Sequence, residues 1–288
     1  MAPTWQIGDV SIRRVVEMET PVPYHPKYPL IAEARPEALG HMPWLKPHFV
    51  THEGHLMSSV HALVVEAPGL LLIVDTCLGN DKPRRMLGNR ALSTEFLALL
   101  SAAGCQPERV QAVICTHLHV DHVGWNTRLD SATGRWVPTF PNARYLMGRV
   151  EFEHWSRESA GEPAAIMQDS IQPIVDAGLV ELVEQDHRLS NEIRLLPTPG
   201  HTPGHVSVLI ESRGARALIT GDVIHHPCQV GEPTWATSFD SDRSAATAMR
   251  QQLLSQFADS GVLVIGTHFA YPTAGRITRR GERYQFDV

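Results

Sequence analysis

Three imidazoles and a carboxylate stand within the run Thr116-His117-Leu118-His119-Val120-Asp121-His122-Val123-Gly124. The apolar residues Val110 to Cys115 precede it and read as a short buried β-strand. Alternation along that strand puts His117 and His119 on one side of the chain, and Asp121 and His122 follow on the turning loop. Imidazole and carboxylate together suit zinc, manganese or iron rather than calcium. The plain alternative is a polar loop whose histidines bond only to one another. Four ligand-type residues in six positions behind a strand argue against it.

Three later segments carry the same residue types. Thr198-Pro199-Gly200-His201-Thr202-Pro203-Gly204-His205 holds a histidine between two Pro-Gly turns, just before the apolar run Val206 to Ile210. Taken alone this is a weak signal. The runs Ala217 to Thr220 and Val262 to Ile265 read as strands, and they deliver Gly221-Asp222 and Gly266-Thr267-His268.

The positioning elements are legible from periodicity and turn residues. Ile7 to Val16 alternates as an opening strand, and Val60 to Glu66 and Leu70 to Asp75 form a hairpin through Ala67-Pro68-Gly69. Ser93 is the expected N-cap of a helix to Ala103, with Phe96, Leu100 and Ala103 on one face and Gly104 ending it. Ala143 to Met147 is a strand, Val150 to Arg157 and Ala164 to Asp176 are helices, and Leu179 to Val183 and Ile193 to Leu196 return to strand. Ser241 to Asp259 is the clearest helix, with Ala245, Met249, Leu253 and Phe257 on one face. From Glu17 to Ser58 seven prolines break regular structure, and Tyr24, Tyr28, Trp44 and Phe49 add aromatic surface. A stretch of that length is expected to be a cleft wall, a lid or a dimer arm, or else a plain surface wrap.

Composition narrows the classes. At 288 residues, 43% hydrophobic and 19% charged, the chain is globular and reads as one domain, 1–288. Its net charge of −6, with no basic block, excludes a nucleic-acid surface. Sixteen histidines point to metal chemistry. Cys77, Cys105, Cys115 and Cys228 form no CxxC pair. No signal peptide or membrane span is visible, so a cytoplasmic protein is expected, with no membrane partner.

The HxHxDH pattern resembles the metallo-β-lactamase superfamily, and with the TPGHT loop, the Gly-Asp and the final Gly-Thr-His the resemblance covers nearly the whole chain outside residues 17–58. It implies an α/β fold, a four-layer αβ/βα sandwich with two mixed sheets face to face and helices outside. It also implies two divalent metal ions, zinc first, with manganese, iron or cobalt as alternatives. One ion would take His117, His119 and His201, the other Asp121, His122 and His268, and Asp222 would bridge them. A similar strand end in the family makes Asp75 a support for a ligand imidazole, although Cys77 stands where the family has glycine. His205 is expected to hydrogen-bond nearby rather than bind metal.

Two such ions against two carboxylates and a bridging hydroxide would carry a net charge of about +1, suited to an anionic transition state. A Ser-His-Asp alternative lacks its GxSxG. Within the family, Asp222 is not the cysteine of zinc β-lactamases, His119 is not the glutamate of flavodiiron proteins, and no basic RNA-binding arm is present. The pattern is most similar to N-acyl homoserine lactonases and methyl parathion hydrolase. Lactonases carry tyrosine three residues after the bridging Asp, where this chain has His225. The expected activity is hydrolysis of a lactone or aryl ester by a metal-bridging hydroxide, with a small-molecule substrate and a homodimer as the assembly. Asp121, Asp222 and His225 would act at the reacting atoms, with Trp125, His225 and Phe269 lining the substrate. A phosphotriester or phosphodiester hydrolase is the second reading. A thioester hydrolase, faintly echoed by Arg276, Arg279, Arg280 and Arg283, is the third, and a non-enzymatic metal binder comes last.

Overall fold

A computed structural model describes residues 3–288. The chain gathers into two compact units, Met1–Glu17 with Val60–Gln185, and Met18–Ser59 with Asp186–Val288.

The first unit is built on a mixed sheet. In chain order its strands are β1 (Thr4–Ile7), β2 (Val10–Val22), β3 (Leu56–Ala67), β4 (Leu70–Val74) and β5 (Ala112–Cys115). After these come the hairpin strands β6 (Thr127–Asp130) and β7 (Arg135–Pro138), then β8 (Arg144–Gly148) and β9 (Val180–Val183). The sheet order is β1-β2-β3-β4-β5-β8-β9, with β6 and β7 forming a separate pair. β4, β5, β8 and β9 run parallel, while β1–β2 and β3–β4 are antiparallel. All four residues of β5 and the last four of β4 and β8 are buried. Such continuous apolar runs belong to parallel strands covered on both faces. Helices α1 (Phe96–Ala102), α2 (Val120–Val123), α3 (Arg149–Trp155), α4 (Gly161–Ile166) and α5 (Gln172–Asp176) complete this unit.

Two expectations shift here. The opening strand is a hairpin, because Gly8 at φ 56° turns the chain between β1 and β2. Ser93 does not cap α1, which starts three residues later with no side-chain cap. Asn80 holds the neighbouring Thr94 instead, accepting from its N–H and donating to its C=O.

The second unit carries β10 (Ile193–Pro197), β11 (Val206–Ser212), β12 (Ala215–Ile219), β13 (Leu263–Ile265), β14 (Ala274–Arg280) and β15 (Arg283–Asp287), paired in that order. Only β12–β13 is parallel, and its crossover contains α6 (Cys228–Gly231) and α7 (Arg243–Phe257). Asp242 caps α7 by accepting from the Ala245 N–H at 2.9 Å. The β14–β15 hairpin escaped the sequence reading because its strands are rich in arginine. Arg279 and Arg280 pair there with Asp259 and Asp287.

The Pro-rich stretch belongs to this unit's core. Ile31, Ala34, Leu39, Met42, Leu45, Phe49, Val50 and Leu56 pack with Leu209, Leu218, Leu253, Val264, Phe269 and Phe286. Phe49 is fully buried and meets the rings of Phe269 and Phe286 at 6.2 and 5.9 Å. Tyr28, by contrast, is 69% exposed.

Candidate metal centre

In the first unit the ligand-type loop leaves the carboxyl end of β5, beside the carboxyl end of β4. That edge is where open α/β sheets gather their functional loops. Asp75, 1% exposed, ties the two strand ends together. Its Oδ1 accepts from the Thr116 N–H and its Oδ2 from the Thr116 hydroxyl, both at 2.8 Å, and Oδ2 also accepts from His122 Nδ1 at 2.8 Å. With its hydrogen given to Asp75, the Thr116 hydroxyl receives from His117 Nδ1 at 3.1 Å. His117 and His122 thus have Nδ1 committed as donors and keep Nε2 as lone-pair donors to a cation. His117 Nε2 lies 3.0 Å from His119 Nδ1, and His122 Nε2 lies 3.7 Å from Asp121 Oδ1.

Buried charges hold this loop from behind. Glu151 of α3 accepts from the Leu118 N–H at 3.0 Å and from Trp155 Nε1 at 2.6 Å, and the Trp155 ring meets His119 edge-on at 5.3 Å. Lys82 donates to the carbonyls of Gly124 and Thr127 at 2.6 and 2.9 Å, and burial pulls its ammonium down to about 7. Glu17 accepts from the N–H groups of Leu78 and Gly79 and from Trp125 Nε1, and burial pushes its carboxyl up against these bonds. Gly124 must be glycine, since a Cβ there would strike the Leu78 carbonyl. Asp75 and Cys77 both sit at left-handed φ, 56° and 54°, so the cysteine holds the conformation that glycine would take freely.

In the second unit Asp222 is the focus. His268 Nε2 lies 3.2 Å from Asp222 Oδ1, while His201 Nε2 and His225 Nε2 lie 3.5 and 3.1 Å from Oδ2. His268 donates through Nδ1 to the Ser59 carbonyl at 2.9 Å, and His201 Nδ1 donates to Asp240 Oδ1 at 3.0 Å. Both rings therefore turn a lone pair toward a carboxylate oxygen. With neutral rings that arrangement is repulsive unless a cation lies between them, and imidazole with carboxylate is a donor set suited to a divalent metal. The residues present fit metal ions.

His205 has a different task. Its Nε2 accepts from the Asp222 N–H at 2.7 Å, and its Nδ1 turns to Thr198, 2.8 Å from the hydroxyl and 3.0 Å from the carbonyl. It pins the TPGHTPGH loop to Asp222 through the backbone. The ring nitrogens of His225, itself 4% exposed, make no hydrogen bond among the described residues. Its backbone N–H is held by Gln229 Oε1 at 2.7 Å.

Two expected substrate contacts lie in packed interior instead. Trp125 is 4% exposed, stacked on Phe96 at 5.6 Å and bonded to Glu17, while Phe269 is fully buried against Phe49 and Phe286. The sequence reading missed Asp240, Glu151, Glu17 and Lys82.

The connectivity and mixed sheets are those of the metallo-β-lactamase fold. The metallo-beta-lactamase superfamily profile matches residues 57–268, and the chain belongs to that superfamily. An N-acyl homoserine lactonase from Bacillus sp is 28% identical over 153 residues, 53% of this chain and 54% of its own length. The chain thus spans about half the length of the curated relatives it matches. Among solved structures, hydrolase AbOPH of the beta lactamase superfamily superposes with a TM-score of 0.81 at 24% identity, covering 100% of this chain and 97% of its own. The dizinc quorum-quenching lactonase AidC gives a TM-score of 0.80 at 20% identity, covering 99% and 96%. Among the described residues no helix is long and apolar enough to cross a membrane.

Proposed function

We propose that this chain is a metal-dependent hydrolase of lactones or aryl esters. One divalent ion would be held by His117, His119 and His201, the other by Asp121, His122 and His268, with Asp222 shared. The observation that carries this reading is the treatment of the imidazoles. His117, His122, His201 and His268 each have Nδ1 committed to a partner, so each ring turns its Nε2 toward the other ligand-type groups. Superfamily membership and the lactonase relatives support the assignment of ligands and substrate class.

Two such ions would lower the pKa of water toward neutrality and polarise the scissile carbonyl. The chain's own part is to orient and to donate. Asp75 and Thr116 fix the rings of His122 and His117, and His205 fixes the backbone of Asp222. His225, buried beside Asp222 and making no hydrogen bond from either ring nitrogen, donates to the substrate carbonyl or the leaving oxygen. In residues 17–58, Tyr28 is the exposed aromatic best placed for a cleft-wall or dimer-arm role, with Tyr24 and Trp44 partly buried. Zinc is our first choice of metal.

The test is a hydrolysis panel on metal-analysed protein, spanning lactones, aryl esters, thioesters and phosphotriesters. Two ions per chain, with lactones or aryl esters turned over faster than phosphotriesters, are the expected result. Efficient phosphotriester turnover with no lactone or ester activity would replace this reading with the phosphoester one.

A further inference from the structure

We propose that Asp240 is a positioning residue of the metal centre, setting the ring of His201 and hence the approach of its Nε2 to Asp222. The inference rests on the metal-dependent reading above.

His201 is 1% exposed and sits between two carboxylates of its own unit, with Nδ1 3.0 Å from Asp240 Oδ1 and Nε2 3.5 Å from Asp222 Oδ2. A neutral imidazole carries one N–H, so donation to Asp240 fixes the proton on Nδ1 and the lone pair on Nε2. A carboxylate behind the ring does more than a carbonyl or hydroxyl. It raises the basicity of the opposite nitrogen and holds the ring plane. In the proposed ligand set His117 and His268 are backed by the neutral acceptors Thr116 Oγ1 and Ser59 O, whereas His122 and His201 are backed by Asp75 and Asp240. Each proposed ion would then have one carboxylate-backed imidazole.

Asp240 is built into place for this. Its side chain is fully buried, and its Oδ2 accepts from the Thr237 N–H at 3.2 Å. On either side of the His201–Asp240 contact the two loops are laced by backbone bonds, Ser241 N–H to His201 O at 2.9 Å and Asp242 N–H to Gly200 O at 3.0 Å. The far side of the Asp240 loop is braced by the Pro-rich stretch. Thr237 pairs with Ile31, and the Ser238 N–H reaches the Leu30 carbonyl at 3.2 Å. His201, His225 and Asp240 also have ligand atoms within 4.8 Å of one another. Asp240 acting as a ligand itself is therefore the competing role that an experiment must separate.

Full-length protein stripped of metal is titrated with Zn(II) against a competing chelator, for wild type, Asp240→Ala and Asp240→Asn. The thermal midpoint of each metal-free protein is measured alongside. Wild type should take two ions, and Asp240→Ala should bind one of them roughly 10–100-fold more weakly while holding the other as before. Asp240→Asn keeps an acceptor for Nδ1 and should recover part of the loss. Asp240→Ala leaves the buried Thr237 and His201 donors unpaired, so its metal-free midpoint should fall as well; a merely structural role would lower the midpoint and spare the affinity. If Asp240→Ala does not fold, Asp240→Asn carries the test, since an affinity equal to wild type would overturn the proposal. Asp240→Ala binding both ions at wild-type strength would overturn it too, as would a third ion in wild type that Asp240→Ala loses. Wild type that binds no ion would sink the metal-dependent reading itself, and this inference with it.

Discussion

The two units prepare their imidazoles in contrasting ways. In the first, the ligand-type residues lie within six positions of one loop, and a single carboxylate, Asp75, with the hydroxyl it engages, orders two of the rings. In the second, Asp222 and His225 share one segment after β12, His201 and His268 come from two others, and the supports Ser59 and Asp240 come from elsewhere in the chain. One half is ordered by chain proximity and the other by packing. Damage in the first half should therefore stay local, and damage at Asp222 should not.

Asp222→Ala tests the contrast most severely. It removes the carboxylate that three Nε2 atoms face, so metal and activity should be lost together, as read by elemental analysis and turnover. An active, metal-replete variant would break the comparison.

His225→Ala should lower kcat by about 10²–10³-fold with metal content intact, the size expected for one lost transition-state donor. Loss of metal along with rate would make His225 a ligand instead.

Asp75→Ala should weaken metal binding by roughly 10–100-fold, since it frees the rings of His122 and His117 to turn. Because His117 and His122 would serve different ions, both affinities should fall together on titration while the second-unit contacts persist.

The mildest effect sharpens the second half alone. His226, fully buried, donates from Nε2 to the Phe49 carbonyl and accepts at Nδ1 from the Cys228 N–H, and burial draws its pKa down to about 4. Its folded value lies below the unfolded one of about 6.5, so its contribution is fully present above that pH. The contribution is lost as pH falls toward about 4, and amounts to roughly 3 kcal/mol. His226→Gln should flatten the fall in denaturation midpoint across that interval; an unchanged slope would assign acid sensitivity elsewhere.

This contrast also governs what could be read from sequence. The loop from Thr116 to Gly124 is contiguous, so residue types and strand periodicity located it. His201, Asp222 and His268 are isolated in their segments and were reached only through family resemblance. Asp240 and Glu151 gave no signal, because an acidic residue in a polar loop or on a helix looks solvated until packing buries it. Trp125 and Phe269 misled for the opposite reason. Both stand near ligands in the chain, but adjacent side chains point in different directions, and both rings enter cores. The Pro-rich stretch gave no periodic pattern, yet its apolar residues, spaced by turns, fill one face of the second unit's core.

The parallel pairing of β12 with β13 has an evolutionary corollary. Ile219 lies opposite Ile265, Asp222 follows the first by three residues, and His268 follows the second by the same number. Sheet register thus sets the two donors side by side whatever the chain does between them. That long excursion, through α6, the Asp240 loop and α7, can be lengthened by descent as long as the strands stay in step and His225 and Asp240 return to their places. A lineage could try new surroundings for an old donor pair there without relearning where the donors belong.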